Sequence, residues 1–384
     1  MHGGIVETKS LFACTTGIGI FSLVLAGLTP SAAAQPAETG LPRDVIEQFD
    51  RAIKNLMSSA KIPGLTAAVV TDLKLRWTSG YGTADLENSV PATASTNYRL
   101  ASISKAITAA AIMQLVENGK LDLDAPIQRY VPSFPKKPWP VTARQLLGHV
   151  GGIRTYKPGE MDNTHYYATL TEALTVFKDD PLEYQPGTKY IYSSEGYTLL
   201  AVAVEGASGM NYFDYVRTHI FQPAGMDGAR AESVDAIIPH RTQGYKKLPN
   251  GDLVNSGLAD MSSKAVTCGT AGDLAKFAIA FLSGTLVRPQ TVEEMFKVYP
   301  VTERQTPGGA MGYGMGWNVV PRQGNKELEA FKAGNQQRVT GLLYIRPERK
   351  CVVAILCNLE DAPITARFAR QLSDIVLGET KATP

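Results

Sequence analysis

Candidate β-strands stand near both ends of this 384-residue chain, and helical, loop-rich sequence lies between them. Near the start, "GLTAAVV" and "LRWTSGYG", separated by "TDLK", read as a hairpin. Towards the end, "LEAFKAG", "GLLYIRP" and "KCVVAILCN" are three more strands, the last two joined by a turn around residues 347–350. This arrangement argues against a doubly wound parallel sheet, in which strand and helix alternate along the chain. The fold class it predicts is α+β. One antiparallel sheet is built from both chain ends and flanked by helices, with a mostly helical lobe inserted in the middle. The expected division is an α/β lobe of residues 43–98 and 260–384 and a helical lobe of residues 99–259.

Helical spacing supports this layout. "DVIEQFDRAIKNLMSSA" carries apolar residues at 45, 46, 49, 53, 56 and 57, with Asp44 as its cap. "YTLLAVAVEGASG" is stopped by Gly206 and Gly209. "TAGDLAKFAIAFLSG" opens on Thr270 with Asp273 three residues later, a start resembling a capping box. A final helix is expected over 362–377. No internal repeat is present.

The N-terminus has the make-up of a secretory signal. An apolar stretch, "LFACTTGIGIFSLVLAGL", is followed by "SAAAQ", with a cut expected after Ala34. A retained anchor would sit near the lower length limit for a span. The expectation is an exported, periplasmic or secreted protein whose mature part has no membrane span, joined to its leader by a Pro-containing linker at 35–42. The net charge of +2 and the absence of a basic stripe argue against a nucleic-acid partner. Cys268, Cys351 and Cys357 are too few for a disulfide framework. Cys351 and Cys357 flank one strand, about 20 Å apart at ~3.3 Å per residue, so they cannot bridge. All three read as small core residues.

Three Ser-x-x-Lys pairs occur: Ser58–Lys61, Ser102–Lys105 and Ser133–Lys136. The last lies among prolines, which prevent the helix that would bring its side chains together. The first closes a helix, where the negative dipole end disfavours an alkoxide. Ser102–Lys105 opens one. There i and i+3 share a face, and the positive dipole end favours a substrate anion and a lysine that gives up its proton. A buried lysine of this kind can act as a base. The competing reading makes Ser102 a plain helix cap and Lys105 a solvated residue.

Two further stretches decide between these readings. "PGTKYIYSSEGYTLL" supplies Tyr192-Ser193-Ser194, and "AFKAGNQQ" supplies Lys332-Ala333-Gly334 on a strand. The order Ser-x-x-Lys, Tyr-Ser-x, Lys-x-Gly resembles that of the penicillin-recognising serine enzymes. A phenol flanked by two lysines could take the Ser102 proton and return it to the leaving group. A strand lysine adds positive potential and can bind a substrate carboxylate. Backbone N–H groups of Ser102 and Asn335 would form an oxyanion hole, and Gly334 would let substrate approach the strand closely.

With these motifs the chain resembles the serine β-lactamase and penicillin-binding-protein family, in its class C-like branch. "YRLASISKAITAAAIMQLVENGKLDLDAPIQRYVPSFP", "LLGHVGGI", "FQPAGM" and "YGMGW" are similar to that family over roughly residues 45–360. The first passage is also similar to a mitochondrial β-lactamase-like serine peptidase. The resemblance implies that Ser102 is the nucleophile, Lys105 its assistant, Tyr192 the general base and acid, and Lys332 part of the third motif. Ser194, Gly334 and Asn335 would then bind substrate. Two positions depart from the pattern. Ser194 stands where Asn is usual, and Ala333 where Thr or Ser is usual. Both changes remove substrate contacts expected of an efficient lactamase and leave the nucleophilic machinery intact.

Rival signals are weak. "GYGMGW" does not follow the dinucleotide-binding glycine pattern and reads as a tight sheet-edge passage. His149, His165, His219 and His240 lack metal-ligand spacing, so neither metal nor cofactor is expected, and His149 reads as structural. No G-x-S-x-G elbow occurs. The expected activity is an exported serine hydrolase forming an acyl-enzyme with a small-molecule or peptide substrate, as a peptidase, esterase or β-lactamase. The alternative is an acyl-trapping sensor or a non-catalytic scaffold on the same fold.

Overall fold

The computed structural model describes residues 40–306, 309–322 and 327–379. The expected leader, residues 1–34, lies outside the described residues.

Nine strands form the main sheet. β1 (Gly64–Thr71) and β2 (Lys74–Asp85) are the expected first hairpin. Asp72 and Leu73 between them both have positive φ, the turn conformation whose twist matches that of the flanking strands. β3 (Val90–Pro91) pairs with β2. The rest come from the C-terminal part: β4 (Arg304–Thr306), β5 (Gly309–Tyr313), β6 (Asn318–Val320), β7 (Glu329–Gln336), β8 (Val339–Arg346) and β9 (Cys351–Cys357). Their order across the sheet is β3-β2-β1-β9-β8-β7-β6-β5-β4, antiparallel throughout. β1 pairs with β9, Leu65 facing Cys357 and Val70 facing Val352, so the two chain ends meet in one sheet as the strand pattern predicts.

Every residue of β8 and β9 is buried, because helices cover both faces of the sheet. On one face lie α1 (Arg43–Ala60) and the last helix, which packs against α1. Phe49 and Ile53 of α1 join Trp77, Val353 and Ile355 in one apolar cluster with Leu372 of that last helix. Truncating a side chain such as Phe49 to Ala costs about 3–5 kcal/mol in a core of this kind. The other face carries α2 (Ser104–Glu117), α3 (Glu195–Ser208) and α4 (Ala271–Leu282), which share a second cluster with β1, β8 and β9. α3 is buried from Glu195 to Val204, as expected of a helix that is apolar all round. Thr270 and Asp273 make a reciprocal capping box at the start of α4.

The last helix, α5 (Ala366–Val376), is shorter than the expected 362–377. Thr365 caps it by accepting the Phe368 N–H at 3.2 Å, and Pro363 stands in the non-helical approach. Cys268, Cys351 and Cys357 are buried and unpaired, and burial raises the Cys351 and Cys357 thiols to about 11 and about 12. Among the described residues no helix is long and apolar enough to cross a membrane.

Candidate active site

The chain enters α2 through a single 3₁₀ turn, Ala101–Ile103. Ala101 has a φ of 46°, a left-handed conformation that a residue with a Cβ adopts at a cost of about 1–3 kcal/mol. Ser102 therefore sits in a strained turn just before the helix, not in the helix's first turn. No side-chain cap bond is made at the start of α2, which removes the plain-cap reading of Ser102. Its Oγ instead accepts a hydrogen bond from Lys105 Nζ at 3.0 Å. Lys105 occupies the first turn of α2, and the same nitrogen donates to Ser194 Oγ, also at 3.0 Å. Burial lowers the Lys105 ammonium to about 8, with the Glu195 carboxylate pulling the other way.

The Tyr192-Ser193-Ser194 segment leads into α3, and Ser193 fixes it in place. The Ser193 hydroxyl donates to the Arg154 carbonyl at 2.6 Å and accepts the Gly196 N–H at 3.0 Å. The Ser193 N–H donates to His149 Nδ1 at 3.2 Å. Tyr192 is thereby held between two lysines. Their ammonium nitrogens lie 5.0 Å (Lys105) and 4.9 Å (Lys332) from its ring centroid. Lys332 also donates to the Tyr192 hydroxyl at 3.4 Å.

Lys332 comes from β7 and is 1% exposed. It donates to the Tyr313 hydroxyl at 2.5 Å as well. Burial lowers it to about 8, Tyr192 opposes that shift, and Lys105 adds to it. Burial and the two lysines hold His149 well below the usual imidazole range, so its ring is neutral. Since Nδ1 accepts from Ser193, Nε2 carries the proton and donates to Tyr313 at 3.1 Å. His149 is thus a hydrogen-bonding residue of the frame, as the sequence suggested. Lys332 is enclosed by two phenols, which leaves the expected carboxylate contact without support.

Gly334 also has a packing role. A Cβ at this position would stand 2.6 Å from the Leu100 carbonyl oxygen, 3.2 Å from the Ile103 Cγ1 and 3.3 Å from the Ala101 Cβ. The missing side chain lets β7 press against the Ser102 turn. Asn335 follows on β7 and lines the cleft, its side-chain oxygen accepting from the Asp361 N–H at 3.1 Å and Thr340 Oγ1 at 3.2 Å. Ser194, expected to touch substrate, has its hydroxyl bonded to Lys105 and so orients that amine.

Ser102, Lys105, Tyr192, Ser194 and Asn335 line one cleft of about 200 Å³. Lys332 and Gly334 lie behind its walls. Two participants were not singled out in the sequence. Tyr313, on β5, orients Lys332; its signal was the "GYGMGW" run, read as a tight sheet-edge passage and, in "YGMGW", as similar to the family. Gly314 and Gly316 there have room for no Cβ, meeting the Met295 carbonyl at 2.3 Å and Ala109 Cβ at 2.6 Å, which brings the run close to α2. Lys264 also lines the cleft, with Nζ 3.4 Å from the carbonyl oxygens of Glu160 and Met161. Nothing in "MSSKAV" marked it. Among the described residues no group of three or more His, Cys, Asp or Glu side chains could hold a metal ion.

Known proteins resemble this chain in sequence and in fold. Residues 49–374 match the family model described as Beta-lactamase. The human mitochondrial serine beta-lactamase-like protein LACTB is 30% identical over 89% of this chain and 81% of its own length. The octameric penicillin-binding protein homologue from Pyrococcus abyssi superposes with a TM-score of 0.77 at 27% identity, covering 87% of this chain and 78% of that one. EstCE1, a hydrolase with promiscuous acyltransferase activity, superposes with a TM-score of 0.73 over 87% of this chain and 98% of its own, and at 19% identity it supports the fold alone. The sheet closed from both chain ends and the match over most of the sequence lead to one conclusion: the chain belongs to the beta-lactamase family of serine hydrolases.

Proposed function

We propose that this chain is a class C-like serine hydrolase that acts on small esters or peptide-like amides through an acyl-enzyme on Ser102. The observation that carries the reading is the 3.0 Å hydrogen bond between Lys105 Nζ and Ser102 Oγ, made by a lysine brought to about 8. Near neutral pH a usable fraction of this amine is unprotonated and takes the serine proton. Ser102 Oγ bonds to the substrate carbonyl carbon, and the carbonyl π electrons move onto its oxygen. The backbone N–H groups of Ser102 and Asn335 are assigned to that oxyanion. As the tetrahedral adduct collapses, the bond to the leaving oxygen or nitrogen breaks and Tyr192 gives it a proton. The neighbouring ammonium groups stabilise the charge left on Tyr192, and Lys105 returns its proton there. Water then repeats the sequence on the acyl-enzyme and releases the acid.

Ser194 engaged with Lys105 and Ala333 without a hydroxyl support slow turnover of β-lactams relative to esters. The apolar leader and its Ala-rich end support export to the periplasm or the medium, which N-terminal sequencing of the mature protein checks. The activity is tested with a 4-nitrophenyl ester, a chromogenic cephalosporin and a D-alanyl-D-alanine peptide. Sustained turnover of one class, lost in Ser102→Ala, supports the proposal. One burst without turnover supports an acyl-trapping sensor, and full activity in Ser102→Ala refutes both.

A further inference from the structure

We propose that Lys264 reads a carboxylate on the substrate, which makes carboxylated esters or amides the preferred substrates. This rests on the hydrolase reading above. Among the described residues two ammonium side chains line the cleft, those of Lys105 and Lys264. Lys105 spends its donors on Ser102 and Ser194, and Lys332 is turned away towards Tyr192 and Tyr313. Lys264 is the remaining source of positive charge at the cleft wall.

Its surroundings leave it underused. Lys264 is 6% exposed, so its charge has been taken largely out of water. In return it has two carbonyl contacts, each at 3.4 Å, near the outer limit of a hydrogen bond. The Tyr156 ring lies 5.1 Å from its nitrogen and helps to aim it. The charged groups that act on it are the acids Glu195 and Asp162, which favour its charge, and Lys105 and Arg99, which oppose it. Among the described residues no carboxylate forms an ion pair with it within 4.0 Å. Glu195, a buried acid that acts on both Lys105 and Lys264, is itself raised by burial, and its Oε2 has no hydrogen-bond partner. Lys105 and Lys264 thus share one reluctant carboxyl group, which also faces Arg154 at 3.9 Å. A substrate carboxylate entering the cleft supplies the missing negative charge and a strong acceptor for Lys264.

Beside the cleft is a small recess of about 20 Å³ that Glu160 and Glu195 also line. Tyr156, Ser194, Thr198 and Lys264 line both spaces, so Lys264 stands at the junction. A ligand group held there lies next to Ser194, whose hydroxyl holds the Lys105 amine.

The test compares mono-4-nitrophenyl glutarate, which is carboxylated on the acyl side, and 4-carboxyphenyl acetate, carboxylated on the leaving side, each with its uncharged analogue. For the wild type, kcat/KM should favour one of the carboxylated esters over its neutral analogue at least tenfold. That ratio should collapse in Lys264→Met, mainly through KM, and be retained in Lys264→Arg. It should also shrink as pH rises above about 8, where Lys264 loses its charge. A ratio in Lys264→Met within twofold of the wild type overturns the proposal, as does the absence of any preference in the wild type. Calorimetric titration of the Ser102→Ala variant with the same esters separates recognition from hydrolysis. Tighter binding of a carboxylated ester, lost on adding Lys264→Met, upholds the lysine's role even if no ester is turned over. Equal binding of charged and neutral esters by Ser102→Ala overturns it while leaving the hydrolase reading to stand on turnover.

Discussion

Gly334 of β7 lies so close to Leu100 that a Cβ on it would stand 2.6 Å from the Leu100 carbonyl oxygen. The contact ties the strand carrying Lys332 to the turn carrying Ser102. Gly334→Ala must push one of them away, because the clashing atom is a backbone carbonyl oxygen and not the end of a flexible side chain. The expected cost is about 1–3 kcal/mol of stability. Acylation of Ser102 should slow more than tenfold, because a shift of about 1 Å in a reacting group costs that much or more. Urea unfolding and the rate of adduct formation by intact mass check both effects.

Tyr313→Phe removes the hydroxyl that accepts from both Lys332 and His149. Two buried donors then lose a partner, at about 1–3 kcal/mol each when left unsatisfied. The melting temperature should fall, and kcat should drop with little change in KM, since Tyr313 does not line the cleft. A rise in KM alone would assign Tyr313 to substrate binding instead.

Ser194→Ala separates two roles for one hydroxyl. If Ser194 positions Lys105, the substitution lowers kcat about tenfold and leaves KM near its original value. If Ser194 binds substrate, as the family resemblance implied, KM rises instead. Steady-state kinetics on a neutral ester distinguish the outcomes.

The three buried lysines predict an unusual pH dependence of stability. Lys105, Lys264 and Lys332 each stand at about 8 in the folded protein against 10.5 when free. Between these values the unfolded chain binds more protons than the folded one, so unfolding free energy rises with pH. The buried cysteines oppose this above about 9, because their folded-state thiols are raised and the unfolded chain ionises first. Denaturant unfolding should therefore show greater stability at pH 8.8 than at pH 7.5. A flat or falling curve would contradict the burial of these ammonium groups.

Much of this was legible in the sequence. The i, i+3 spacing of Ser102 and Lys105 anticipated their contact, which is made across the 3₁₀ turn that leads into α2. The antiparallel pairing of the two chain ends followed from where the β-rich segments stood. Other features depend on long-range closure, which spacing does not encode. Nothing in the sequence neighbours of Gly334 reveals that Leu100 packs behind it. Lys332 looked like a carboxylate binder because the phenol of Tyr313 arrives from another strand. Lys264 sits in an irregular segment with no periodicity, so only folding shows that it faces the cleft. The start of α5 was misplaced because the apolar pattern runs on past the Thr365 cap.

The central claim is that Lys105 activates Ser102, and acylation by an activated ester at a series of pH values tests it most directly. Intact mass with peptide mapping should show a single adduct on Ser102. Its rate of formation should rise with an apparent pKa near 8 and fall at least 10³-fold in Lys105→Met. An adduct that persists in Ser102→Ala, or a rate in Lys105→Met that matches the wild type, would contradict the account.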